Sequence, residues 1–276
     1  MSMYSHPFHI SRRTPAQRRP TILFGASLGL LGSPGRAIRT AEREGYLGID
    51  LDMRNRWLAP DVATMRALHA HHVVRVRCVW LPASIRGPLA AYRVDRLTAF
   101  LRLAEKELGL RQVVVGGAAS APAQGIPMLQ MLQQSGILAR IAIGVRADHT
   151  VHSLAGTTQA RRIAEEWDLD LALDLSGPVP PGWEAEAAVM RMLSRLTIVR
   201  LCGWLPGAGA DVNESPTRIA ARSIAMLADQ GFSGLLSIVP TRNRYPLEDY
   251  QHDLQRRYWL GPQNTDLPAN THFDLP

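Results

Sequence analysis

A chain of 276 residues with 46% apolar and 20% charged residues is long enough for one large α/β domain or two small ones, and too polar for a membrane protein. No apolar run approaches the roughly 18 residues a spanning helix needs, and two cysteines, Cys78 and Cys202, make no disulfide framework, so a reducing cytoplasm is the expected compartment. The formal charge of +7 rests on 31 basic residues of which only Lys106 is a lysine; the arginines are dispersed and not interleaved with aromatics, which reads as a codon bias and argues against nucleic acid as a partner.

Residues 1–19 form a basic arm. It has no apolar core of a secretory signal, and Pro7 and Pro15 break any helix there. From residue 20 the chain alternates short apolar runs with amphipathic stretches eight times. Strand Thr21–Leu28 precedes helix Pro34–Glu44, where Ser33 and Pro34 read as an N-cap and first helical residue. Strand Leu47–Met53 precedes helix Pro60–His71, and Val73–Leu81 precedes Tyr92–Leu108. Gln112–Gly116 then leads to Ile126–Ile137, Ile141–Asp148 to Leu154–Trp167, and Leu169–Leu175 to Trp183–Leu193. Leu196–Cys202 with Ser215–Gln230, and Leu235–Val239 with Leu247–Tyr258, complete the series. Gly45, Gly109 and Gly231 sit where left-handed helix C-caps are needed. Residues 261–276 are a polar, proline-containing tail.

Eight βα units over residues 20–260 predict a single (β/α)8 TIM barrel. An open doubly wound sheet is the weaker reading: no GxGxxG follows the first strand, and eight units are too many. Strand alternation sorts the side chains. It sends Asp50 and Asp52 inward, with Gly144, Arg146 and Asp148 on the fifth strand, Asp170 and Asp174 on the sixth, and Arg200 and Cys202 on the seventh. On the third strand it sends Arg75 and Arg77 inward and Cys78 outward, so these arginines are the expected partners of Asp50 and Asp52. Asp174 is expected between Arg146 and Arg200, with space left by Gly144, Gly177 and Gly203. Guanidinium has five donors and no lone pair, so such a mouth suits an anion and not a divalent metal.

Four stretches carry a family resemblance: ASLGLLGSPGRAIRTAEREGYLGIDLDM (26–53), RLTAFLRLAEKELGLRQVVVGG (96–117), LDLALDLSG (169–177) and GFSGLLSIV (231–239). Residues 20–258 resemble the xylose isomerase-like TIM-barrel superfamily, which includes sugar phosphate isomerases and epimerases. That resemblance implies one divalent metal held by a Glu ending strand five, an Asp ending strand six, a His on strand seven and a Glu ending strand eight. Only Asp174 matches. Arg146, Arg200 and Val239 stand at the other three positions, and Gly177 stands where a His often follows the strand-six Asp.

The sequence therefore predicts a sugar phosphate isomerase/epimerase-like barrel with a degenerate metal site and no cofactor. A small anionic ligand, a sugar phosphate or sugar acid, would bind through Arg146, Asp174, Arg200, Arg242, Asp148 and His149. The alternatives are a non-catalytic scaffold with a structural ion network, and a metal enzyme with its site relocated to His149 and His152. Trp57, Trp80, Trp204 and Tyr245 read as a sugar-ring floor or as a cover for the barrel top. Cys202 reads as an activated thiol beside Arg200 or as a core cysteine. His69, His71 and His72, at the end of the second helix, lie at the wrong face for a site. The catalytic residues and the oligomeric state stay open.

Overall fold

Eight parallel strands pair in chain order, and the last pairs with the first. They are β1 (Thr21–Ser27), β2 (Gly48–Asp52), β3 (Arg75–Leu81), β4 (Gln112–Ala118), β5 (Arg140–Arg146), β6 (Asp170–Leu175), β7 (Leu196–Cys202) and β8 (Leu235–Val239). The structure is a computed structural model that describes residues 20–28, 33–56, 58–118, 122–146, 153–175, 185–202, 226–239 and 247–254. The outer helices are α1 (Pro34–Arg43), α2 (Val62–His71), α3 (Ala90–Leu103), α4 (Ile126–Gln134), α5 (Ser153–Glu166), α6 (Ala185–Met192) and α7 (Leu247–Leu254). This is the (β/α)8 barrel expected from the sequence. Of the predicted helix Ser215–Gln230 only its end, 226–229, falls among the described residues, and it is helical. The basic arm and the polar tail lie outside them.

Local chemistry sets the element ends. The Ser33 hydroxyl accepts from the Arg36 N–H at 3.4 Å and Pro34 opens α1. Asp61, which the sequence reading passed over, caps α2 by accepting from the Thr64 N–H at 2.9 Å. Gly45, Gly109 and Gly231 adopt φ of 84°, 78° and 66°, as their C-cap positions require. α3 ends in one π-helical turn, Ala104–Leu108. From that turn Glu105 accepts the N–H groups of Leu138 and Ala139 just ahead of β5.

Two cores result. The larger lies between strands and helices, built from Ile49, Leu51, Val113, Val115, Ile143, Leu171 and Val199 against residues such as Phe100, Leu101, Leu129 and Leu132. The smaller fills the barrel itself: Leu23, Cys78, Trp80, Val114, Ala142, Ala172 and Ile198. Cys78 therefore points inward, against the strand-alternation reading. The cause is a register shift in the β2–β3 ladder: Ile49 pairs with Val76 but Asp50 with Cys78, so Arg77 is an extra residue that reverses the phase. Arg75 and Arg77 consequently stay at the N-terminal end of the barrel, where they bond to His69 and to the Gly109 carbonyl, and do not pair with Asp50 or Asp52. No helix among the described residues is long and apolar enough to cross a membrane.

Candidate functional site

Strand register places three predicted site residues side by side at the C-terminal mouth. Arg146 pairs with Asp174, and Asp174 pairs with Arg200. The side chain of Arg146 lies outside the described residues, as do Asp148, His149, His152 and Arg242 and the aromatics Trp57, Trp204 and Tyr245. Gly177, Gly203 and the Cys202 side chain lie outside them too.

The described partners differ from the expected ones. Asp174, fully buried, is met by Arg54, whose Nη1 lies 2.5 Å from its Oδ2. Arg54 follows β2 by two residues and also forks onto Asp52, with Nε at 3.0 Å from Oδ1 and Nη2 at 2.6 Å from Oδ2. One guanidinium thus bridges the ends of β2 and β6. Arg200, 1% exposed, donates from Nη1 to Asp52 Oδ2 at 2.6 Å, and its Nε lies 3.4 Å from Asp50 Oδ2. The same Asp50 oxygen accepts from Ser237 Oγ at 2.7 Å and from Trp80 Nε1 at 3.1 Å. Both guanidiniums lie over the Trp80 indole, Arg54 at 4.9 Å and Arg200 at 5.7 Å from a ring centroid.

Packing explains how the arginines reach one another. A Cβ on Gly116 would lie 2.5 Å from Arg54 Cδ, so this glycine on β4 makes the room through which Arg54 crosses. A Cβ on Gly144 would lie 2.8 Å from Trp80 Cζ3, so the space the sequence left open on β5 is filled by the indole. Trp80 is wholly buried and forms the floor beneath the ion pairs, not an exposed platform for a sugar ring.

Charge states follow from these contacts. Burial works against the Asp52 carboxylate, but the hydrogen bonds and charge of Arg54, then the charge of Arg200, hold its pKa down to about 2. Burial pushes Asp50 up, and Arg200 and Ser237 only partly offset it. Burial also opposes the charge on Arg54, and Asp174 and Asp52 outweigh it. Burial and the Asp50 carboxyl push the Cys78 thiol well up, so it is no thiolate nucleophile. Asp52 and Asp174 lie against the Arg54 and Arg200 guanidiniums as ion-pair partners. Two buried donors, Arg200 Nε and Nη2, have no hydrogen-bond partner among the described residues. Among the described residues no group of three or more His, Cys, Asp or Glu converges as a metal cage.

The structure places Asp174 and Arg200 at the mouth as the sequence predicts, adds Arg54, which the sequence does not single out, and gives Asp50 and Asp52 partners other than Arg75 and Arg77. The available signal for Arg54 was its spacing: Asp52-x-Arg54 at a strand's C-terminal end is a short-range ion pair at the place where barrel sites form.

The closed ring of eight parallel strands defines a TIM barrel. No protein-family model matches the sequence, and no curated protein matches it significantly. Solved structures do match in fold. The 3-keto-D-glucoside 4-epimerase YcjR from E. coli is 14% identical, with a TM-score of 0.55, over 86% of this chain and 98% of its own. The D-allulose 3-epimerase from Methylomonas sp. is 18% identical, with a TM-score of 0.53, over 84% and 88%. The probable 3-DHS dehydratase AsbF from Bacillus anthracis is 8% identical, with a TM-score of 0.52, over 84% and 97%. At these identities the likeness is one of fold.

Proposed function

We propose that the protein is a sugar phosphate isomerase/epimerase-like barrel that binds a small anionic ligand, a sugar phosphate or sugar acid, at its C-terminal mouth without a divalent metal. The reading is carried by the buried Arg200 guanidinium, whose Nε and Nη2 have no hydrogen-bond acceptor while its Nη1 is held by Asp52. Arg146 stands level with Asp174 on the neighbouring strand, at the same mouth. A ligand oxygen would satisfy the open Arg200 donors. The Arg54 guanidinium sits on Asp174, the one residue that matches the resemblance's ligand set, and this supports a metal-free reading.

Thermal shift with sugar phosphates, sugar acids and inorganic phosphate tests the reading. A ligand at a hundredfold excess over Kd stabilises the fold by about 2.7 kcal/mol. The shift is expected in the wild type and lost in Arg146→Met and Arg200→Met. Elemental analysis is expected to find no stoichiometric divalent metal. About one equivalent that is lost in His149→Ala or His152→Ala would move the site to those histidines.

The burial of Asp174 and Arg200 favours a second reading, a non-catalytic scaffold whose interior charges are structural. No shift with any anion, combined with a large loss of stability in Asp174→Asn, would select it.

A further inference from the structure

At the opposite, N-terminal end of the barrel, arginines stand on successive strand starts. The Arg111 N–H donates to the Arg77 carbonyl and the Arg140 N–H to the Arg111 carbonyl, each at 3.0 Å, so Arg77 on β3, Arg111 just ahead of β4 and Arg140 at the start of β5 are lateral neighbours. Arg75 lies two residues before Arg77, and its Cβ and the Arg77 guanidinium both crowd Gly109. Nearby carboxylates are mostly committed. Asp170 holds Arg140 at 2.5 Å and Asp168 holds Arg195 at 3.1 Å. Glu107 is taken by Arg66, and Glu105 by the backbone ahead of β5. Among the described residues the exposed Arg111 side chain has no hydrogen bond or ion pair, and Arg77 bonds only the Gly109 carbonyl. Burial, then the like charges of Arg111 and Arg75, disfavours the charged form of Arg77. Like charges held together without a counter-charge cost free energy that an anion would recover.

The same end is hollow. One cavity of about 520 Å³ is lined by Arg111, Gln112, Arg140, Ser194, Thr197 and Ser233, among others. A second of about 520 Å³ shares Arg140, Ser194 and Thr197 and adds Arg195 with the carboxylates Asp168 and Asp170, so the anion site is placed in the first. Such volumes lie in the range of small-molecule sites. Guanidiniums for charge and serine and threonine hydroxyls for orientation are the groups that recognise phosphate oxygens.

We propose that this end of the barrel is a second ligand site, for a phosphate-bearing small molecule, seated in the hollow against Arg111 and Arg140 with Arg77 beside it. It is separate from the mouth, which lies at the other ends of the same strands.

Inorganic pyrophosphate is the probe, titrated calorimetrically into the full chain at low salt. Saturable binding is expected, weakened roughly tenfold or more in Arg77→Gln/Arg111→Gln, as loss of charge-assisted hydrogen bonds implies. Arg111→Gln alone, at an exposed position, is expected to weaken it in the same direction and guards against misfolding of the double variant. In Arg146→Met, which removes any anion binding at the mouth, one saturable pyrophosphate site is expected to remain. The proposal is overturned if the wild type shows no saturable binding, if the Arg77/Arg111 variants bind as tightly as the wild type, or if Arg146→Met alone abolishes binding.

Discussion

Two aspartates on one strand, two residues apart, have opposite charge habits, and this is testable. Asp52 takes three guanidinium hydrogen bonds from Arg54 and Arg200, whereas Asp50 takes two neutral donors and one distant guanidinium. Asp52→Asn is expected to cost about 3–5 kcal/mol, the usual result of breaking a buried ion pair. Asp50→Asn keeps an acceptor for Ser237 and Trp80 and is expected to stay within about 1 kcal/mol. The pH dependences have opposite signs. The Asp52 pKa is lowered in the folded state, so its contribution is present above the ordinary aspartate pKa of about 3.9 and fades as pH falls towards 2. The Asp50 pKa is raised, so its effect is a loss of stability as pH climbs above that ordinary value. Urea melts from acid to neutral pH should show the acid loss vanish in Asp52→Asn and the loss above pH 4 vanish in Asp50→Asn. Curves parallel to the wild type in both variants would show that neither charge state is as assigned.

Among the elements, β4 and β5 matter for what they lack. Gly144→Ala drives a methyl group into the Trp80 ring and is expected to cost about 1–3 kcal/mol, as overpacking does. Gly116→Ala meets Arg54 halfway along a side chain anchored at its head by two carboxylates, so it should displace Arg54 from Asp174. Chemical denaturation of Gly116→Ala, Arg54→Met and the double variant is expected to show strong non-additivity, because both single changes break the same bridge. Additive losses would mean that Gly116 acts through something else. These elements also show what the sequence makes legible. β5 and β6 pair without a shift, and the shift in the β6–β7 ladder falls at Thr197, well below the mouth, so Asp174 and Arg200 could be placed from spacing alone. β3 could not: one extra residue, Arg77, reverses its phase, and nothing in RVRCVWL marks it. Arg54 was illegible because a loop side chain finds Asp174 across 120 positions of sequence, and only Gly116, on a third element, lets it pass.

For the whole molecule, the ion network ties together strands on different sides of the barrel. Arg54 joins the end of β2 to β6, Arg200 joins β7 to β2, and Ser237 joins β8 to Asp50. A closed barrel has no edge strand from which to fray. Native-state hydrogen exchange is expected to show the amides of β2, β6 and β7 opening together, only on global unfolding, and losing protection together in Arg54→Met. Loss confined to the β2 end would show that the bridge does not carry stability across the barrel.

The single π-helical turn, Ala104–Leu108, has a practical consequence. It carries Lys106, exposed, the only lysine among 276 residues. Every other side-chain cation apart from the histidines is a guanidinium, which amine-reactive reagents spare. A succinimidyl ester therefore finds one side-chain target, at the turn that leads into the N-terminal end of β4. With the α-amino group blocked, biotin attached there would tether every molecule by the same end and in the same orientation. The Asp174–Arg200 mouth would then face the solution, ready for ligands to be passed over a surface of uniformly aligned barrels.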